Sequence, residues 1–405
     1  MRWSAAASSS RRWFAAASLA MPIVILTCSQ AWPSDGLAYI SYTSDSATAF
    51  PEGEEGPSSD RVAPTIDDSV RHPWAAELWE NWSDKGNLFW SEPPGDLVLT
   101  IDYRVQPMFN SHTSYQFGTA PSDLARGLIP AAYAPLSKLD WSLDSTWTGF
   151  RFGLEKADSA AHFEWLTPMQ QGINGNMEDF DWSGPNKDPA SLSRSPERWN
   201  DGQMLDLEYE FRLLKRPLGL PVDVWPMIGF RWQRFSMTAY DGDQIINDGT
   251  LGPDLPPVGY HWTEDEITFK QEYSIGYLGA QLRGRLETKF LPPIAWTLQG
   301  DWGYTQANNV DHHISGYEDR GSHRYTMEDT HGDALHFCLT AESLFCRDRF
   351  SIGLQADYME INTTGSHHWV QYGGTYYAPA DETWTNGVSV SSYQTSLTAF
   401  IRTRF

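Results

Sequence analysis

The sequence predicts an all-β protein: a ten-stranded antiparallel transmembrane β-barrel with short turns at one end and long loops at the other. Three observations carry this. Charged and apolar side chains alternate with period two over long runs. Aromatic residues make up 14% of the 405-residue chain, 19 of them Trp, yet mean hydropathy is only -0.47. No stretch after residue 31 approaches the ~18 apolar residues of a membrane helix. Finally, the chain ends on an alternating strand with a terminal aromatic, Phe405.

Taken in order, Arg2, Arg11 and Arg12 precede the apolar run 13–27, and Ser29-Gln30-Ala31 is a small-x-small cleavage site. Residues 1–31 therefore read as an export signal peptide. SRRWF (10–14) has the look of a twin-arginine signal, but a membrane barrel must cross the inner membrane unfolded, so both export routes stay open. Residues 32–96 are an acidic, Pro/Gly-rich extension, expected to be disordered in the periplasm. Within it WAAELWENW (74–82) has the spacing of a short amphipathic helix.

The barrel is expected over 97–405. Leu97, Leu99, Ile101, Tyr103 and Val105 alternate with Val98, Thr100, Asp102 and Arg104, and Leu205 to Leu213 alternate with Asp206, Glu208, Glu210 and Arg212. One face must be wet and the other must meet apolar surroundings. A soluble sandwich alternates in the same way. Two features favour the bilayer. The run 294–313 is far longer than an ordinary strand, and Tyr393, Thr395, Leu397, Ala399, Ile401, Thr403 and Phe405 share one face to the last residue. Ten strands are expected near 97–109, 139–155, 160–172, 203–215, 222–240, 265–283, 288–309, 333–346, 350–362 and 390–405. Short links alternate with long ones, which is the barrel pattern, and an even count puts both ends in the periplasm. Ten strands leave a narrow lumen filled by side chains, which disfavours a diffusion porin.

A formal charge of -23 argues against a nucleic-acid partner. Cys28 leaves with the signal, and Cys338 and Cys346 fall on one expected strand, roughly 26 Å apart, so no disulfide is expected.

Chemistry concentrates in two clusters at the outward strand ends. GNMEDFDW (175–182) carries Asp179 and Asp181, and NNVDHH (308–313) carries Asp311 and His313. In the run 294–313 the even residues Trp296, Leu298, Trp302 and Tyr304 face lipid. Parity then puts Asp311 and His313 inside the mouth. The first cluster has the wrong parity relative to Phe163 and Trp165, and a bulge within Gly172 to Gly175 would correct it. Such a quartet allows general-base hydrolysis. His313 would transfer the proton, Asp311 would hold its tautomer, and the Asp179/Asp181 pair would hold a water. No nucleophile motif is present, so water is the expected nucleophile. Spacing alone also leaves room for a solvated acidic loop or a divalent-cation site. His312-His313 and His367-His368 point to opposite faces of a strand, so no metal centre is expected.

From SKLDW (137–141) onward the sequence resembles the omptins, ten-stranded outer-membrane proteases of Gram-negative bacteria. GNMEDFDW, NNVDHH, FKQEYSIGYLG (269–279) and the C-terminal YQTSLTAFIRTRF carry the resemblance. It implies a surface endopeptidase in which Asp179 and Asp181 hold the water and Asp311 and His313 activate it. No cofactor is implied, but dependence on lipopolysaccharide is, with Arg234 in FRWQRFS (230–236) at a lipid A-binding position. Asn309 stands at a substrate-binding position where many members carry Asp, and Glu272 stands where an arginine is expected. Basic cleavage sites are thereby left open, although the net charge would still attract cationic peptides. The expected protein is a monomer in the outer membrane with its active site facing outside. The competing reading is a non-catalytic barrel of the same fold that acts as an adhesin or surface-binding protein.

Overall fold

The structure is a computed structural model, and it describes residues 97–118, 136–182, 189–217, 221–246, 258–286, 292–314, 323–345, 349–372 and 379–405. The expected signal peptide, the acidic extension and Cys346 lie outside the described residues. Fifteen strand segments are present: β1 (Val98–Pro107), β2 (His112–Phe117), β3 (Ser137–Ser142), β4 (Thr146–Lys156), β5 (Ser159–Pro168), β6 (Gly172–Asp181), β7 (Ser191–Phe211), β8 (Val222–Tyr240), β9 (Asp243–Ile246), β10 (Val258–His261), β11 (Asp265–Leu286), β12 (Ile294–His313), β13 (His323–Phe345), β14 (Phe350–Tyr372) and β15 (Ala380–Arg404).

Ten of them close a ring, β1-β4-β5-β7-β8-β11-β12-β13-β14-β15 and back to β1, every neighbour antiparallel. Above it, β2, β3 and β6 fill the wall between β15 and β7. Three wall strands are therefore broken once each, between β1 and β2, β3 and β4, and β5 and β6. Asn110, at φ 51°, marks the first break. The two ends of the barrel meet at one rim, where the Phe405 amide donates to the Leu99 carbonyl at 2.9 Å.

The outward band consists of residues such as Leu99, Phe150, Phe163, Trp165, Leu207, Tyr209, Phe230, Leu278, Leu298, Trp302, Tyr304, Phe337, Leu339 and Leu354, all large, apolar and exposed. In water this surface would be an aggregation site; in a bilayer it is the hydrocarbon-facing belt. On β12 the continuous belt ends at Tyr304, and the outward residues above it are Gln306, Asn308, Val310 and His312. The strands nevertheless continue. β7 begins at Ser191 rather than near 203, β12 runs on to His313, β13 starts at His323 rather than near 333, and β14 reaches Tyr372. These corrections have one cause. Above the bilayer the outer face meets water, so the hydropathic alternation stops while the backbone ladder does not.

The lower lumen is closed by ion pairs. Arg231 joins Asp206 and Asp301, both at 2.7 Å; Arg402 joins Asp102 at 2.7 Å and Glu342 at 3.0 Å; Arg104 joins Glu164 at 2.7 Å. Paired charges at this depth fill a polar interior with partners that satisfy one another.

Candidate active site at the barrel mouth

The mouth is built from two facing walls. On one wall, β6 lies between β3 and β7, with Asp179 opposite Leu139 and Ser193, and Asp181 opposite Ser137 and Ser191. The β6–β7 register shifts between Gly172 and Asn176, which is the expected bulge. It turns Met177 and Asp179 inward, both buried, and leaves Glu178 facing out against Arg194. Gly175 makes the turn possible. Its φ is +139°, and a Cβ there would collide with Ser142 Oγ. Gly175→Val is therefore expected to undo the bulge at a cost of about 1–3 kcal/mol. A lower thermal midpoint in micelles, together with loss of whatever activity depends on Asp179, would show it.

On the other wall, β12 lies between β11 and β13. Asp311 sits opposite Phe269 and Thr326, and His313 opposite Ile267 and Arg324. His313 Nε2 is 2.9 Å from Asp311 Oδ2. The same oxygen accepts the Tyr115 hydroxyl at 2.6 Å, and Tyr115 comes from β2, across the mouth. A second bond between the walls lies beside it, where Thr113 Oγ1 donates to Gln271 Oε1 at 2.8 Å. Rings support the dyad from below: Tyr115 stacks on Phe269 at 6.0 Å and Phe269 on Trp141 at 5.1 Å.

Electrostatics separates the two carboxylate sets. Asp311 is fully enclosed, and burial alone would raise its pKa. His313, then the Tyr115 hydroxyl and Arg324, outweigh that and hold it below the usual carboxylate range. Asp179 moves the other way. Burial, and after it the negative charge of Asp181, push its pKa well up, with Asp311 and Glu266 adding to the rise and Arg324 opposing it. Asp311 and Arg324 thus act electrostatically on Asp179 from the opposite wall. A carboxyl held ionised facing one disposed to keep its proton is an arrangement suited to moving protons.

Three features were not visible in the sequence. Tyr115 clamps Asp311. Glu266, buried and bonded to Ser195, adds another acid near His313. Beneath the dyad, Gln271, Asn309, Glu328 and His367 form one inward row across β11 to β14. All four are buried, Glu328 Oε1 is 2.8 Å from His367 Nδ1, and both amide atoms of Asn309 lack a partner among the described residues. Parity places each of these inward, but only closure of the ring shows which residues meet. Arg234 faces outward as expected, flanked by Asp201 at 3.6 Å and Glu272 at 3.7 Å.

Among the described residues, one group could gather a metal ion: His162, Glu208 and Glu210, deep in the lumen, with ligand atoms within 4.8 Å of one another. Arg151 pairs with Glu208 at 3.1 Å and Arg283 pairs with Glu210, so the negative charge there is already balanced.

Residues 132–325 match the Omptin family. The barrel is similar to the outer membrane protease OmpT from Escherichia coli, with TM-score 0.59 and 16% identity over 77% of this chain and 98% of that one. OprG of Pseudomonas aeruginosa (10% identity, 78% and 98% covered, TM-score 0.29) and the translocator domain of NalP from Neisseria meningitidis (8% identity, 82% and 96% covered, TM-score 0.28) are far more distant in shape. No curated protein matches. Residues 132–325 are thus similar to the Omptin family, and the described residues form a β-barrel of the outer-membrane type.

Proposed function

We propose that this barrel is an omptin-type endopeptidase that hydrolyses peptide bonds at the cell surface. The match of residues 132–325 to the Omptin family supports an outer-membrane protease; the catalytic assignment is argued from the mouth itself. The observation that carries it is the 2.9 Å contact of His313 with Asp311, made in the same space into which Asp179 is turned by the β6 bulge. In this reading the Asp179/Asp181 pair positions a water, His313 takes its proton as the oxygen adds to the peptide carbonyl, and Asp311 orients the imidazole and stabilises its cationic form. The proton then passes to the leaving nitrogen. Asn309 and the polar row beside it lie one step below the dyad and receive a substrate side chain. The net charge of -23 draws cationic peptides by long-range attraction.

Lipopolysaccharide is the proposed partner on the outer face, with Arg234 reaching a lipid A phosphate. The neighbouring Asp201 and Glu272 weaken that pull, so the dependence is expected to be shallow. The test is to incubate the refolded monomeric barrel with a mixed peptide library, with and without lipopolysaccharide, and sequence the products. Discrete cleavage that rises on adding lipopolysaccharide is expected. An intact library under both conditions would leave the chain a binding barrel and end the peptidase reading.

A further inference from the structure

We propose that Arg324 is a further catalytic group: its guanidinium takes the negative charge that forms on the carbonyl oxygen when water adds to the peptide bond. The proposal builds on the peptidase reading above. Three observations place the guanidinium at the reacting centre. β13 sets Arg324 directly opposite His313. Its Nη2 lies 2.6 Å from His313 Nε2. Its charge acts on both walls, on Asp311 and on Asp179. On its other side the Trp369 ring, 4.8 Å from the guanidinium carbon, holds the plane of the fork by cation–π attraction.

The charge balance of the mouth requires such a group. Asp311 is held ionised there, and the carboxyls of Asp179, Asp181 and Glu266 stand around the same mouth. When water attacks, its oxygen forms a bond to the carbonyl carbon, the π pair moves onto the carbonyl oxygen, and the water proton moves to His313. A new anion then appears among carboxylates, which slows the step unless a fixed donor faces it. Tyr115 already donates to Asp311, and the amides of Gln271 and Asn309 are neutral and lie a row deeper. Arginine cannot lose its proton at working pH, so its charge is permanent.

His313 Nε2 can serve only one of its two neighbours. Protonated, it donates to Asp311, Nδ1 becomes the base, and the Arg324 N–H turns to the substrate oxygen. Unprotonated, it accepts from Arg324, which is the contact available before substrate arrives. On collapse, the pair on oxygen re-forms the carbonyl, the C–N bond breaks, and the proton on His313 goes to the amine.

The test compares Arg324→Gln and Arg324→Lys with the parent in kcat, KM and affinity for a peptide phosphonate, a tetrahedral anion. Arg324→Gln is expected to lose about 10²–10³-fold in kcat with little change in KM, and to lose phosphonate affinity in parallel. Arg324→Lys keeps the charge and is expected to recover part of both. Unchanged or increased kcat in Arg324→Gln would overturn the proposal, since the arginine would then only cap His313. So would a loss confined to KM, or equal losses in both variants with phosphonate affinity intact. A parent that cleaves no peptide at all would instead remove the peptidase reading, and this inference with it.

Discussion

His313→Ala is expected to lower kcat by at least about 10³-fold while leaving heat-modifiable barrel migration intact. The second half of that expectation follows from position. His313 is the last residue of β12, above the lipid belt, and its loss leaves in place the wall-to-wall bonds of Tyr115 to Asp311 and of Thr113 to Gln271. The first half follows from chemistry. Among the described residues of the mouth, His313 is the imidazole in contact with both a buried carboxylate and a guanidinium. Initial rates on one library-derived peptide, measured from pH 4 to 9, would check it. The pH arm also probes Asp311, whose pKa is held below the usual carboxylate range. A depressed carboxyl contributes stability above its unfolded value and loses it only as pH falls through the lower, folded one. The dyad should therefore survive mildly acid conditions, and Asp311 should not set the acid limb of activity. A His313→Ala barrel that cleaves as well as the parent would end the assignment of the base.

The chain showed its barrel wherever lipid met it. From Leu205 to Leu213 and from Trp296 to Tyr304 the outer face is apolar, the inner face polar, and parity assigned every side chain correctly. Higher up both faces are largely polar, with Val310 an outward exception. Asp329, His331 and Asp333 face outward on β13, and Asn362, Thr364 and Ser366 on β14, so nothing in their hydropathy marks a strand. Segments that are ladder in the structure therefore looked like loop, and Arg324 lay inside one of them. The bulge before Asp179 was readable because the parity conflict in β5 and β6 and the glycines at 172 and 175 pointed to the same place. Tyr115 was not readable. Its partner lies 196 residues away, a meeting set by ring closure rather than by any local pattern.

Asp179→Ala is expected to cost activity on the scale of His313→Ala, and the pair to which Asp179 belongs should govern the acid limb. Burial and Asp181 raise the pKa of Asp179. If the ionised pair holds the water, activity must fall as pH drops through that raised value, above the ordinary carboxylate range. Asp181→Asn removes the neighbouring charge and lowers the pKa of Asp179, so the residual activity of that variant should extend to lower pH than the parent's. Stability should move in the opposite sense to activity. A carboxyl whose folded pKa is raised favours the fold while protonated and loses that contribution as pH rises through the folded value. Asp179→Asn removes the ionisation, so its thermal midpoint at neutral and alkaline pH should exceed the parent's even as cleavage is lost. Rate profiles and unfolding midpoints across pH separate the two effects. A variant with lost activity and a lowered midpoint at every pH would point to a structural role for Asp179. An Asp181→Asn acid limb unmoved or shifted upward would mean that the two carboxyls do not act as a pair.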